Sequence, residues 1–316
     1  MRSTALTVRG IEDLKVATGA NREFRPVQIG TSPVNGGLFI SEFGGLRLTH
    51  GRFGGDIHVS GTYSNDKLSI GLVLKADGIR CLGKHADVGD MLVAGKGGEN
   101  DGRYRSELEF AVINVDKAEV INMADSEAIR LCPGWLDGSD LYKIESGKAI
   151  RLVQRIRFIL EELKNGSFQA MGPEAEKSLA DEILRAFTSG LSGAATSDHL
   201  RYESGPKIPK LIQRAESWLA SHQHRVPRIE ELSEALLVSP RQLYRAFHAE
   251  VGMSPARYLR MYRLTRARLE LLDADPGATT VKNVAYSLGF WELGRFAVEY
   301  KKLFGESPSQ TLAAAH

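Results

Sequence analysis

The spacing of apolar positions changes along the chain, from short runs that fit strands to stripes that fit helices. Between residues 27 and 115, short apolar segments are separated by Gly, Asn and Asp; they cover residues 37–40, 56–60, 67–74, 91–94 and 108–115. Short strands at nearly regular spacing, joined by Gly-rich turns, are typical of a small β-barrel or sandwich. We therefore predict an all-β architecture for this part of the chain.

Helical spacing begins near residue 149 and continues to about residue 190. The first predicted helix has a stripe of apolar residues at Ile150, Val153, Ile156 and Leu160. Pro173 favours the first turn of a second helix, and Gly190 favours its end. The stripe of this second helix consists of Leu179, Ile183, Leu184 and Phe187. That stripe either forms a dimer face or packs on the chain's own strands.

A polar segment separates these helices from a C-terminal region whose predicted elements are all helical. We place domain boundaries at residues 1–191, 192–208 and 209–316, with the middle range as a linker. Of the 32 glycines, 27 lie before residue 207, and the remaining five lie after it. The two regions therefore differ in composition as well as in periodicity.

The C-terminal region contains a first helix-turn-helix unit at about residues 228–251. A short helix ends near Leu236, and Ser239 and Pro240 start a new helix with the pattern of a capping box closed by Gln242. Apolar residues of this second helix share one face, and the opposite face carries Arg241, Tyr244, Arg245 and His248. Such a face suits the DNA major groove, because arginine donates two hydrogen bonds to a guanine edge.

A second unit of the same kind lies at about residues 279–304. Gly289 fits the sharp turn between its two helices. In the second of these helices we expect Leu293, Tyr300 and Phe304 to be buried, and the exposed residues to be Arg295, Glu299 and Lys302. The helix that joins the units, residues 255–272, carries arginines that are candidates for phosphate contacts: Arg257, Arg260, Arg263, Arg266 and Arg268.

Charge agrees with a polyanionic partner. The whole chain has a formal net charge of +2. Residues 207–316 contain 16 Lys and Arg but only 11 Asp and Glu, so the basic charge is concentrated in the helical region. A basic region of this kind is typical of nucleic-acid binding.

Four phrases of the C-terminal region resemble the DNA-binding domain of the AraC/XylS family of transcription regulators. They are LVSPRQLYRAF at residues 237–247, GMSP at 252–255, VAYSLGF at 284–290 and FGESPS at 304–309. The resemblance covers about residues 209–313. It implies that both recognition helices enter the major groove on one side of double-stranded DNA, and that RNA polymerase is a partner.

The resemblance also implies residue roles. Arg241, Tyr244 and Arg245 match the base-reading positions of the first unit. In the second unit the matching positions are Glu292, Leu293, Gly294, Arg295 and Val298. Many family members have arginine where Val298 stands and polar residues where Leu293 and Gly294 stand. We therefore expect more hydrogen-bonded reading from the first unit, and apolar and phosphate contacts from the second.

For the N-terminal region the resemblance is one of architecture. It implies an α+β protein with an N-terminal cupin-like β-barrel, dimerisation helices and a small-molecule effector bound in the barrel. Arginines near the first predicted strands favour an anionic effector, with cyclic di-GMP as one candidate. The candidate ligand residues are Thr7, Arg9, Arg22 and Arg25. The spacing of Arg22 and Arg25 departs from the Arg-x-x-x-Arg pattern of cyclic di-GMP-binding domains.

We predict no catalytic residues, no metal site and no cofactor. His50, His58 and His85 lack the paired-histidine pattern of metal-binding cupins, and no nucleophile motif or phosphate-binding loop occurs. The sequence has no apolar run long enough for a membrane span and no signal-peptide core, and its two cysteines do not make a disulfide framework. We therefore expect a cytoplasmic protein.

The function expected is that of a homodimeric, sequence-specific transcription activator controlled by a small molecule. Two alternatives stay open from the sequence. One is a cupin-type enzyme fused to a DNA-binding domain, which bound metal would support. The other is a DNA-binding protein without an effector, which equal affinity for any DNA sequence would support.

Overall fold

A computed structural model of the chain describes residues 1–14, 25–63, 67–95, 97–130, 138–168, 170–192, 194–196, 208–222, 227–275 and 277–314. The N-terminal region contains two antiparallel sheets. The larger has the strand order β1-β3-β4-β11-β6-β9-β12-β13, and the smaller has the order β2-β5-β10-β7-β8. Among the described residues, no helix is both long and apolar enough to cross a lipid bilayer.

The strands lie between residues 2 and 196. Their bounds are β1 Arg2–Val8, β2 Arg25–Gln28, β3 Asn35–Phe43, β4 Leu46–Gly54, β5 Ile57–Thr62, β6 Leu68–Lys75, β7 Ile79–Cys81, β8 Lys84–Ala86, β9 Met91–Ala94, β10 Glu99–Tyr104, β11 Glu107–Val115, β12 Ser139–Lys143 and β13 Ala195–Thr196. All five apolar segments predicted as strands are strands. β1, which the pattern did not predict, forms one edge of the larger sheet.

The helices begin after β11, apart from a short 3-10 turn at residues 11–13, and β12 and β13 lie between helices in the chain. Their bounds are α1 Lys117–Ser126, α2 Ser146–Lys164, α3 Pro173–Leu191, α4 Ile208–Ser221, α5 Ile229–Ala235, α6 Pro240–Glu250, α7 Pro255–Leu272, α8 Val281–Ser287, α9 Leu293–Phe304 and α10 Pro308–Ala313. Both predicted N-terminal helices and both predicted helix-turn-helix units are present.

The two sheets do not close into the predicted barrel. Among the described strands, none belongs to both sheets. β2 is an edge strand of the smaller sheet, and α7 lies along it, where the backbone N–H of Gln28 donates to Thr265 Oγ1 at 3.3 Å. An edge strand needs partners for its backbone groups. At β2 a helix of the C-terminal region supplies one, and the N-terminal region is an open two-sheet structure.

Four layers make up the molecule. Helices α2 and α3 pack on the outer face of the larger sheet, and the two sheets enclose a second core between them. On the far side of the smaller sheet, Val27 and Ile29 join the core of α4–α7. α7 also contributes Leu264 and Leu271 to a separate core with α8 and α9. One long helix thus holds both helix-turn-helix units together.

The structure shows where the apolar stripes of α2 and α3 pack. Leu179, Ile183, Leu184 and Phe187 are buried in the core beneath the larger sheet, so they pack on the chain's own strands and do not form a dimer face. α2 is rotated relative to its predicted stripe: Ile150 is 58% exposed. Its buried face consists of Ala149, Leu152, Ile156, Ile159, Leu160 and Leu163.

Candidate nucleic-acid interface

The first unit positions its recognition helix with a capping box. Ser239 Oγ accepts a hydrogen bond from the backbone N–H of Gln242 at 3.2 Å, and Gln242 Oε1 accepts one from the backbone N–H of Ser239 at 2.8 Å. Pro240 occupies the first turn, where its missing N–H costs nothing. These bonds fix where α6 begins and hence which of its side chains face outward.

The two faces of α6 separate as the sequence predicted. Leu243 and Phe247 are completely buried against α4 and α7. The predicted reading residues Arg241 and Arg245 are exposed, and Tyr244 is 40% exposed. The outer face of α6 is therefore basic and open to a partner, which is the arrangement that direct reading of a major groove requires.

In the second unit, α9 has a different outer face. Glu292, Arg295 and Val298 are exposed, as expected. Phe296, Tyr300 and Leu303 anchor the helix, whereas Leu293 and Phe304, which were expected to be buried, are only half-buried. Phe296 points inward because it lies one helical turn before the buried Tyr300 and therefore on the same face.

Arg295 is engaged by its own helix. Its Nε donates to Glu299 Oε1 at 3.1 Å, and the other carboxylate oxygen of Glu299 is bound by Nε of Arg260 from α7. Glu299 is thus neutralised by two arginines. An exposed ion pair of this kind contributes only a few tenths of a kcal/mol, about 0.3–0.5 for such helix neighbours.

Most arginines of α7 serve the chain itself, contrary to the expectation of phosphate contacts. Arg263 lies over the Phe290 ring, 4.9 Å from its centroid. Arg266 binds Glu270, and Arg268 donates to Glu12 and to Glu306. The exposed Arg257 is the member of the set that stays a candidate for DNA phosphate.

Comparison with known proteins supports this interpretation. A family model described as a helix-turn-helix domain matches residues 232–314. The chain is 31% identical over 137 residues to the XylDLEGF operon transcriptional activator 2 of Pseudomonas putida, covering 43% of this chain and 82% of that protein. The chain belongs to the AraC/XylS family of transcription regulators. This AraC/XylS regulator has a DNA-binding helix-turn-helix domain, and its homologues are transcriptional activators.

Two further relatives differ in how much of the regulator they match. The XylDLEGF operon transcriptional activator 3 of Pseudomonas putida is 28% identical over 293 residues, covering 86% of this chain and 80% of that protein. The probable thc operon regulatory protein of Rhodococcus erythropolis is 34% identical over 151 residues, which are 46% of each chain. The chain therefore spans about half the length of the latter relative.

The AraC/XylS regulator contains a cavity of about 130 Å³ between its two sheets. Its walls are mainly aliphatic and aromatic, and no charged side chain is among the described residues that line it. The polar groups that reach it come from Thr49, Tyr63, Asn100, Tyr104 and Asn114.

Burial keeps the weak acids of this cavity in their neutral forms. It raises the pKa of the Cys81 thiol to about 12 and raises the pKa of both tyrosines well above the usual value of 10. Thr49 Oγ1 is buried and has no hydrogen-bond partner among the described residues. The cavity thus offers neutral walls and one unused polar group.

Of the arginines predicted for an anionic effector, the two that the structure describes, Arg9 and Arg25, do not line this cavity. Thr7 and Arg9 are exposed at the end of β1, and Arg22 lies outside the described residues. Arg25 is on β2, where its Nη1 donates to Ser217 Oγ of α4 at 3.0 Å. Arg25 therefore contributes to the contact between the two domains of the regulator.

That contact is built on a buried polar cluster of five residues, which we call the domain-contact cluster. It consists of His58, Ser60, Asp101, Glu216 and Tyr258. Ser60 Oγ and Tyr258 OH donate to the two carboxylate oxygens of Glu216. His58 Nδ1 lies 2.7 Å from Tyr258 OH, and His58 Nε2 lies 3.4 Å from Asp101 Oδ1.

The cluster holds its histidine in the charged form. Burial alone would lower the pKa of His58, but the charges and hydrogen bonds of Asp101 and Glu216 outweigh burial and raise the pKa to about 10. Burial raises the pKa of the Asp101 carboxyl. A buried imidazolium between two acidic side chains is satisfied only while both domains stay in contact, because Glu216 belongs to the C-terminal domain.

The cluster and the cavity share one sheet. Side chains alternate between the two faces of a strand. On β5, Val59 lines the cavity while its neighbours His58 and Ser60 face α4 and α7. On β10, Asn100 lines the cavity and the next residue, Asp101, belongs to the cluster. The thickness of a single sheet therefore separates the cavity from the DNA-binding domain.

Sequence reasoning missed both the cluster and Trp291. Residues His58 and Glu216 are too far apart in sequence for any local pattern to pair them. Trp291, which is 68% exposed directly before α9, was visible as a large aromatic residue at the start of a predicted recognition helix. Among the described residues, no group of three or more His, Cys, Asp or Glu side chains is arranged to hold a metal ion.

Proposed function

We propose that this regulator activates transcription when a small neutral molecule occupies the cavity between its two sheets. The observation that carries the DNA-binding part is the exposed basic face of α6 on a capped, well-packed helix. DNA is the polyanion that such a helix fits, and RNA polymerase is the partner that an activator requires. The protein would act by binding near a promoter.

The chemistry and the volume of the cavity support a neutral effector about the size of a single aromatic ring. A cavity of about 130 Å³ is close in size to apolar cavities of about 150 Å³ that bind benzene. Burying an unpaired anion between neutral walls would cost several kcal/mol. Cyclic di-GMP carries two phosphates and is much larger, so it would need a different site, for which Arg9 and Arg22 remain candidates.

The route from effector to DNA runs, in this proposal, through the smaller sheet. An effector that shifts β5 or β10 displaces members of the domain-contact cluster on the opposite face, and this changes how the DNA-binding domain docks. The effector controls DNA binding to the extent that its affinity differs between the two docking arrangements.

We also infer that the active form is a homodimer. The support is the outer face of α2, where Ile150 is 58% exposed and Phe158, two turns later, is 63% exposed. A second copy of the same face would cover both side chains. Sedimentation of the Phe158→Glu variant should then show monomers at concentrations where the unchanged protein is dimeric.

The central experiment measures the affinity of the protein for duplexes selected from a random DNA pool, with and without a panel of compounds. The panel contains neutral single-ring compounds and cyclic di-GMP. We expect one neutral compound to change specific affinity at least about tenfold, equivalent to 1.4 kcal/mol of coupling. Arg245→Ala should weaken binding about 10–100-fold if Arg245 reads a guanine, while Arg2→Ala, at an exposed arginine of β1, serves as control.

Thr49→Val tests whether the cavity is the effector site. Removing an unpaired buried hydroxyl should raise the free energy of unfolding by about 1 kcal/mol while weakening the response to the effector. Thr188→Val is the matched control, because Thr188 Oγ1 already donates to the Leu184 carbonyl at 2.7 Å. A response to cyclic di-GMP but to no neutral compound would contradict the proposal, and equal affinity for all DNA sequences would favour an effector-independent binder.

A further inference from the structure

The outer face of α9 includes exposed apolar side chains at positions where a recognition helix usually carries hydrogen-bonding groups. Val298 is 69% exposed in the middle of the helix, and Trp291, directly before it, is 68% exposed. The Trp291 ring rests on Tyr286 of α8, with the ring centroids 5.4 Å apart, so its position is supported from behind. Most of the surface of both side chains is therefore open to a partner.

Gly294 lies on the same outer face. A Cβ atom built at Gly294 would have nothing within 4 Å, so the packing of the chain does not require glycine there. Gly294 is the second residue of α9, where glycine costs less, relative to alanine, than the about 1 kcal/mol of a helix interior. Glycine is typical of a place where a backbone approaches a ligand closely.

The outer face of α9 also carries polar groups: Glu292 is exposed just before the helix, and Arg295 is in a weak, exposed ion pair. The guanidinium of Arg295 is held by Glu299, which is itself shared with Arg260. Lys301 and Lys302 are exposed near the end of α9, where they suit phosphate more than a base edge. Val298 and Trp291 are therefore the groups that suit an apolar contact, beside the hydrogen bonds that Glu292 and Arg295 can make.

Only one group on the edges of DNA bases in the major groove is apolar, namely the C5-methyl of thymine. We propose that α9 reads thymine through its methyl group, with Val298 and Trp291 making the contact and Gly294 allowing the helix to approach. This proposal rests on the DNA binding proposed above. It assigns the two units different chemistry: α6 reads by hydrogen bonds, and α9 reads by methyl contact.

The test replaces thymine by uracil, which removes the methyl and keeps every hydrogen-bonding group. The probe is the tightest duplex selected from a random pool, with uracil placed one position at a time. Each contacted methyl should contribute about fourfold in affinity, from about 0.8 kcal/mol per buried carbon. Positions read by α6 should be insensitive to the replacement.

A protein variant, combined with the uracil duplex, completes a double-mutant cycle. Val298→Ala should weaken binding to the thymine duplex about fourfold or more, yet change binding to the uracil duplex by less than about twofold, because the two changes remove the same contact. Val88→Ala, at a 51% exposed valine of the N-terminal region, is the matched control and should behave as the unchanged protein on both duplexes. Gly294→Ala should raise the unfolding midpoint and weaken binding.

Three outcomes overturn the proposal. Selected duplexes bound specifically, but with no position sensitive to uracil, would reject methyl reading and leave the proposed function standing. Trp291→Ala and Val298→Ala variants that keep DNA affinity but lose promoter activation in a purified transcription assay would make this face a contact for RNA polymerase. Failure of the unchanged protein to select any sequence would reject the proposed function itself.

Discussion

Leu237 has a left-handed backbone conformation that L-amino acids seldom adopt. Its φ is 56°, and its side chain is 89% exposed in the turn before α6. Gly289, in the corresponding turn before α9, has a φ of 75°. Both residues donate a 3.0 Å backbone hydrogen bond to the carbonyl three residues earlier. The first turn therefore carries strain, at about 1–2 kcal/mol for an L-residue, that the second turn avoids.

Exchanging the residue types at these two turns should change stability in opposite directions. Leu237→Gly should raise the free energy of unfolding by about 1 kcal/mol, and Gly289→Ala should lower it by a similar amount. Urea denaturation measures both. Leu237→Ala is the control, because it removes the exposed side chain but keeps Cβ; equal effects of glycine and alanine at position 237 would show that strain is not the cause.

At the scale of single residues, the sequence predicted exposure well where one helix decided it. Arg241 and Arg245 are exposed as expected, because helical periodicity alone separates the faces of α6. The sequence did not predict hydrogen-bond and ion-pair partners that are distant along the chain. Arg25 and Arg268 were assigned to ligand or phosphate, yet they bind Ser217 and Glu12, residues that the fold and not the sequence brings near.

Two helices of the DNA-binding domain share the same capping arrangement. Ser239 with Gln242 caps α6, and Ser307 with Gln310 caps α10 in the same reciprocal way. A capping residue fixes the first turn of a helix by satisfying backbone N–H groups that have no helical partner. The motif therefore stabilises both helices, but only α6 presents the reading residues.

Removing the two caps should separate stability from recognition. Ser239→Ala and Ser307→Ala should each lower the free energy of unfolding by about 1 kcal/mol. Only Ser239→Ala should also weaken binding to the selected duplex, because its frayed turn carries Arg241. Thermal unfolding and fluorescence anisotropy measure the two effects. The prediction is wrong if both variants lose DNA affinity equally.

At the scale of elements, strands and helices were predictable while their assembly was not. Alternating apolar residues gave the positions of β3, β5, β6, β9 and β11, since each pattern is local. Closure of the sheets was predicted wrongly, because the α7 contact along β2 involves Gln28 and Thr265, 237 residues apart. The buried face of α2 was predicted wrongly for the same reason. The larger sheet, which is distant in sequence, determines which apolar residues of α2 are buried.

The whole molecule is held by an interface whose charge depends on pH. The pKa of His58 is raised to about 10 in the folded protein and is about 6.5 in an unfolded chain. Between these values the folded state binds the extra proton, so the stabilisation is complete below about pH 6.5 and is lost as pH rises toward 10. The raised pKa of Asp101 acts in the same sense.

We therefore expect the thermal stability of the protein to fall between pH 7 and pH 10, by up to about 1.4 kcal/mol per pH unit for one proton. His58→Gln should have lower stability at pH 7 and a flatter profile over the same range. Unfolding followed by calorimetry at closely spaced pH values measures the difference. Parallel profiles for the two proteins would mean that His58 is not the group responsible.

The domain-contact cluster also bears on how such regulators can be recombined. Hybrid sensors are commonly made by joining the effector-binding half of one regulator to the DNA-binding half of another. In this protein that exchange would leave His58, Ser60 and Asp101 facing a foreign helix, and the buried charge of His58 would keep Asp101 but lose the carboxylate of Glu216. A working hybrid must therefore keep Glu216 and Tyr258 together with the N-terminal half. The junction of such a hybrid has to respect contacts that lie inside the DNA-binding domain.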